Sequence, residues 1–154
     1  MALPADTDVS RTAPPRWAAL SSLAPIVHTI ARVAVGLLFM QHGMQKLFGA
    51  LGAGHPNLSL KFGTAGLIEF GGGLLIVVGL LTRPVALLAM IEMLVAFFQV
   101  HFPRGGWPIQ NGGELPLLYG AAFLLLVVAG AGPYSVDAAL RRLPAQRDSA
   151  RTMT

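Results

Sequence analysis

Long apolar runs alternate with short breaks rich in proline, glycine and charge along this chain. A helix that crosses a bilayer needs about 20 mostly apolar residues. Four stretches approach that length: Ile26 to Phe48, Thr64 to Leu81, Val85 to Phe102 and Leu115 to Ala131. Their boundaries carry helix-stopping or helix-starting chemistry. Gly49, Gly52, Gly54 and Pro56 follow the first run, and Thr82-Arg83-Pro84 divides the second from the third, with Pro84 suited to a first helical turn. Pro103, Gly105, Gly106 and Pro108 follow the third, and Gly132-Pro133 ends the fourth. The predicted fold class is all-α: an integral membrane four-helix bundle over 25–133, followed by a short interfacial C-terminal helix over 134–143. Ser135 caps that helix in this reading, Asp137 sits in its first turn, and Arg141 and Arg142 sit in its last. Mobile cytoplasmic tails are expected over 1–24 and 144–154.

The polar positions inside the apolar runs are few and patterned. All three glutamates, Glu69, Glu92 and Glu114, lie in or beside a run, and Arg32, His42 and Lys46 lie in the first. A charge at mid-bilayer costs at least about 2.5–3.5 kcal/mol on insertion scales, so such groups face the bundle interior and pair. At 100° per residue, Arg32, His42 and Lys46 share one side of the first helix with Gly36, Phe39 and Gly43. Glu69 shares a face with Gly66 and Gly73, and Glu92 shares one with Ala89, Ala96 and Gln99. His101 falls nearly opposite Glu92 on the same phase argument. The glycines of the second run, including Gly71-Gly72-Gly73, suit close packing against the first helix.

Composition supports lipid as the solvent. Hydrophobic residues make up 54% and charged residues 12%, against about 25% charged in soluble domains. The net charge of +4 does not indicate nucleic acid, because most arginines lie in the tails and connections. Arg11, Arg16, Arg83, Arg141, Arg142, Arg147 and Arg151 gather on one side of the membrane, and Lys46, Lys61 and Arg104 on the other. The excess places both termini in the cytoplasm. There is no cysteine, which excludes disulfides and thiol chemistry on the chain itself.

With this topology the polar groups converge on the outer half of the bundle. His42, Lys46 and Glu69 are the candidate catalytic residues, and Glu114, Gln99, Trp107 and Asn111 the candidate substrate-binding residues. Arg32 and Glu92 are expected to form a structural ion pair. No metal site is expected, since His42 and Lys46 at i, i+4 contain only one good ligand. A haem between His42 and His101 has no spacing or attachment motif behind it.

At these same residues the chain resembles the DoxX family of small bacterial membrane proteins. The matching segments are Arg32, Gly36 and Phe39 leading to His42-Gly43-Met44-Gln45-Lys46-Leu47-Phe48-Gly49, and Glu69-Phe70-Gly71-Gly72-Gly73 leading to Gly79-Leu80-Leu81-Thr82-Arg83. Gly112-Gly113-Glu114-Leu115 with Tyr119, and Gly130-Ala131-Gly132-Pro133-Tyr134-Ser135-Val136-Asp137, complete the resemblance over about 28–142. It implies a four-helix membrane fold in the bacterial inner membrane and an association with quinone-linked oxidation, including thiosulfate oxidation by related subunits, or with oxidative-stress systems. The leading expectation is a membrane subunit of a quinone-linked oxidoreductase. A quinone head group or small anion would enter the polar pocket, and a cofactor-bearing redox subunit would supply electrons. The lipid bilayer and further copies of the chain are the other expected partners. Two alternatives stand beside it: a proton-coupled or small-solute transporter, and a non-catalytic anchor or assembly subunit.

Overall fold

The computed structural model describes residues 18–56 and 59–142, and the expected tails fall largely outside the described residues. A helical turn at Ala18–Ser21 leads into α1, Ala24–Phe48. Helix α2 runs over Leu60–Val78, α3 over Thr82–Arg104, α4 over Glu114–Ala129, and a short α5 over 136–142. Helices α1, α2 and α3 are long and apolar enough to cross a membrane. Helix α4 is apolar all round but has only 16 residues, about 24 Å at 1.5 Å per residue, against a hydrocarbon thickness of about 30 Å.

Helix α1 packs along α2, and α3 along α4. Phe39, Ile76, Ala86, Ala89, Met93, Tyr119, Phe123 and Leu126 form the core between the pairs. The outer surface is also apolar: Ile30, Leu74, Leu88, Leu118, Leu125 and Val128 are exposed. A bundle apolar both inside and outside belongs in lipid, where the outward residues lose nothing by facing acyl chains.

The α1–α2 seam is built from glycine. A Cβ placed on Gly36 would come 2.9 Å from the Gly73 carbonyl oxygen, and one on Gly43 would come 2.7 Å from the Gly66 carbonyl. The triple glycine expected to serve this seam divides its duties. Gly73 meets Gly36 and Met40 of α1, Gly72 faces Val85 of α3, and Gly71 faces open space. Two π turns interrupt the regular helices, at Ile68–Gly72 in α2 and Phe97–His101 in α3. Such turns carry an extra residue and cluster at functional positions.

One end of the bundle is tied together through buried polar groups. Gly79 ends α2 in the left-handed conformation at φ 72°, so α2 stops before the expected Leu81. The turn leaves the last carbonyls of α2 short of helical donors, the Ile76 carbonyl keeping only the Gly79 N–H at 3.1 Å, and Arg32 of α1 supplies further donors. Its guanidinium, 1% exposed, donates to the carbonyls of Ile76 and Val77, and to that of Tyr134 at 2.8 Å. Arg32 is therefore not paired with Glu92, as expected from the sequence. Carbonyls at the negative end of a helix dipole satisfy the cation instead. A Cβ on Gly79 would lie 2.7 Å from the Arg32 guanidinium, so side-chain space and backbone conformation both call for glycine there.

Leu81, a non-glycine residue at φ 51°, follows. Its N–H donates to Asp137 at 2.8 Å and the Thr82 N–H to the other carboxylate oxygen at 3.0 Å. A carboxylate from α5 thus caps α3 across the chain, and the Asp137 N–H returns a bond to the Gly79 carbonyl at 2.9 Å. Ser135 caps α5 through the Ala138 N–H at 3.1 Å.

Two outcomes follow for unfolding in mixed micelles. Gly43→Ala should lower stability by about 1–3 kcal/mol, the usual cost of overpacking, while Gly71→Ala leaves it unchanged or raised. Equal losses at both positions would contradict the seam. Burial opposes ionisation of Asp137, but the Thr82 and Leu81 N–H donors and nearby Arg141 outweigh it and hold the carboxyl below the usual Asp range. The folded state thus binds fewer protons there than the unfolded state. The stabilisation is fully present above the unfolded value of about 3.9 and is lost as pH falls through the lower folded value. Asp137→Ala should cost about 0.5–2 kcal/mol at pH 7 and flatten the acid limb of a stability–pH curve. An unchanged acid limb would exclude the cap.

Candidate functional site

The opposite end of the bundle carries the candidate chemistry. His42 and Lys46 stand one turn apart on α1, and Glu69 lies in the π turn of α2. Lys46 Nζ forms an ion pair with Glu69 Oε1 across the glycine seam. The Glu69 side chain is 3% exposed and that of Lys46 27%. The second Glu69 oxygen is buried without a hydrogen-bond partner. A cavity of about 150 Å³ opens beside the pair, lined among others by His42, Lys46, Glu69, His101 and Tyr119. Phe39 and Met93 contribute apolar wall to it. The His42 ring stands edge-on to Tyr119 at 5.8 Å between centroids, and Tyr119 stacks on Phe123 at 5.9 Å. The result is a largely apolar chamber that carries a fixed cation, an unpartnered acceptor and an aromatic wall.

Of the expected site residues, the structure brings His42, Lys46 and Glu69 to this one chamber. Gln99 instead borders a larger groove between α2 and α3, which Glu92 also lines. Three expected substrate contacts line neither space. Asn111 is 5% exposed but spends its side chain on its own loop, donating to the Gly105 carbonyl and accepting from the Gly113 N–H, each at 2.7 Å. Glu114 is exposed in the first turn of α4, where a carboxylate suits the helix dipole. Trp107 is 71% exposed on the connection, a usual place for an interfacial aromatic.

Two chamber residues were not among the expected ones. His101 lines the chamber, with Nδ1 3.1 Å from the Asn111 carbonyl oxygen. Its α-helical phase sets it opposite Glu92, but the π turn at Phe97–His101 adds a residue to that turn and breaks the count. Tyr119 is the other, and its signal is present in the sequence: after Glu114 in the first turn, it is the one polar side chain of α4. Among the described residues, no group of three or more His, Asp or Glu side chains is arranged to hold a metal.

Comparison with known proteins agrees with the motifs. The DoxX family model matches residues 27–102, the segment that holds α1, α2 and nearly all of α3. The chain belongs to the DoxX family. Of the chamber's polar residues, this DoxX segment includes His42, Lys46, Glu69 and His101, while Tyr119 lies beyond it. A Haemophilus influenzae relative named only as an uncharacterized protein is 37% identical over 129 residues, covering 77% of this chain and 93% of its own. Inner membrane protein YqjF of Escherichia coli is 36% identical over 122 residues, covering 73% of this chain and 91% of its own. Inner membrane protein YphA of the same organism is 30% identical over 140 residues, covering 79% and 96% respectively. No solved structure matches the chain.

The ion pair makes a double-mutant prediction. Lys46→Met alone strands a buried carboxylate and should cost on the order of 3 kcal/mol in unfolding experiments. Lys46→Met with Glu69→Leu should recover most of that loss, because no unpaired charge remains. Additive losses in the double variant would show that the two side chains are uncoupled.

Proposed function

We propose that this DoxX protein is an inner-membrane subunit of a quinone-linked oxidoreductase, whose chamber binds a quinone head group or a small anion. The observation that carries the reading is the buried Lys46–Glu69 pair with its unsatisfied Glu69 oxygen, opening on a chamber that also presents His42. Buried polar atoms in native proteins nearly always have a partner, so a bound donor is the natural complement of that oxygen. Lys46 holds a positive charge toward a carbonyl or anionic oxygen. His42 donates a hydrogen bond or exchanges a proton, and Glu69 accepts or relays it. A quinone supplies two-electron acceptor chemistry that the side chains lack, and the electrons come from a cofactor-bearing partner.

YqjF and YphA, both inner membrane proteins by name, support an inner-membrane location. Arg83, Arg141 and Arg142 lie at the end tied by Arg32, while Lys61 and Arg104 lie at the chamber end. By the positive-inside rule the tied end and both termini are cytoplasmic and the chamber faces the periplasmic half. Binding fits the packing better than passage. Phe39, Ile76, Ala86, Ala89 and Phe123, all 0% exposed, fill the interior beside and beyond the chamber.

The test is quinone content and affinity of the chain purified in mild detergent with its copurifying lipids and proteins. His42→Ala with Glu69→Gln should weaken quinone binding roughly ten- to a hundredfold, the worth of one charge-assisted hydrogen bond. A folded double variant with wild-type binding and turnover would reject the proposal.

A further inference from the structure

A second space adjoins the chamber and is larger. It is a groove of about 540 Å³ between α2 and α3, walled by apolar residues such as Ala65, Ile68, Ile91 and Val95. The groove and the chamber share Lys46, Glu69, Met93, Ala96 and His101, so they meet at the ion pair. Both π turns lie on this border, one in each wall. Within the groove stands Glu92, and both its carboxyl oxygens are buried without a hydrogen-bond partner. It lies within charge interaction of Glu69 and Lys46, which puts it near the junction rather than with Arg32.

We propose that chamber and groove form one site for an amphipathic lipid-soluble molecule, its polar head at Lys46–Glu69, its hydrocarbon tail between α2 and α3, and Glu92 as a second hydrogen-bonding contact to the head. The inference rests on the chamber being a head-group site. An acyl chain of an ordinary lipid would fill the apolar groove and still leave the Glu92 carboxyl unsatisfied. A second copy packed on the groove would cover Ile91 and Val95 but would leave the junction with the chamber unexplained. A tailed head group satisfies both, since the polar atoms and the apolar walls are continuous. The groove opens between helices within the membrane span, so such a molecule reaches the chamber sideways from the bilayer.

The experiment uses the full chain in nanodiscs and two probes, a benzoquinone with a decyl tail and the same ring without a tail, both expressed per lipid. Wild type should bind the tailed probe at least tenfold more tightly. Ala65 lines the groove and not the chamber, so Ala65→Trp places its bulk on the groove side. It should abolish that advantage while leaving the tail-free probe within twofold. Glu92→Leu should weaken both probes about tenfold, and Glu92→Gln, which keeps hydrogen-bonding capacity, should restore most of the loss. Size-exclusion profile and helical circular dichroism confirm folding of each variant. Retention of the tail advantage in Ala65→Trp overturns the groove, as does a dimer that this variant turns into a monomer. Equal binding of both probes by wild type overturns the groove and leaves the chamber reading standing. Binding of neither probe removes the chamber reading, and the groove with it. Wild-type binding by Glu92→Leu overturns the role of Glu92.

Discussion

At the α1–α2 seam glycines bring two helix backbones into direct contact, and the polar site is arranged around that contact. Gly36 and Gly73 meet at one level, Gly43 and Gly66 at another. In lipid there is no water to expel between helices, so close van der Waals approach is what holds such a pair together. The same approach brings Lys46 within reach of Glu69 one helix away. With bulkier residues in the seam, α1 and α2 would stand apart, and each charge would face hydrocarbon without the other. Packing and electrostatics here are one constraint seen from two sides.

The two ends of the bundle solve the problem of buried polarity differently. At the end with Arg32 the bonds run between elements: the α2 carbonyls receive the guanidinium, and the first N–H groups of α3 find Asp137, while Arg32 Nε, Thr82 Oγ1 and both His28 ring nitrogens are buried without partners. Those bonds join α1, α2, α3 and the segment after α4, so movement of one element would cost bonds in several. At the other end Glu69 and Glu92 keep acceptor oxygens with no partner, and two helices depart from regular geometry. The two ends differ in kind: hydrogen bonds bridge several elements at one, and an ion pair beside unpartnered carboxylate oxygens borders two cavities at the other.

Much of this was legible from the residues alone. Apolar run lengths give the helices, and Thr82-Arg83-Pro84 and Gly132-Pro133 mark their ends to within a few residues. The i, i+4 spacing of His42 and Lys46 places both on the inward side because four residues nearly complete a turn. Pairing across helices was harder to read. Arg32 and Glu92 are opposite charges at similar depth, and charge alone suggests a bond. Which group answers a buried arginine depends on where a helix ends, and the αL turn at Gly79 exposes carbonyls that outcompete a distant carboxylate. Loop residues were the least legible. Asn111 has the chemistry of a ligand contact, but its amide closes the loop it belongs to.

The π turn at Ile68–Gly72 has a consequence for how this helix tolerates changes in length. It is a place where α2 accommodates one residue beyond the regular repeat. Removing a single residue there would let the helix relax to ordinary α geometry, and everything on one side of the deletion would rotate by about 100° relative to the other. Either Gly73 would leave Gly36, or Glu69 and Gly66 would leave Lys46 and Gly43. A span whose length could otherwise drift by a residue through tilt or bilayer adjustment is therefore locked in reading frame, with glycine contacts to α1 on both sides of the lock.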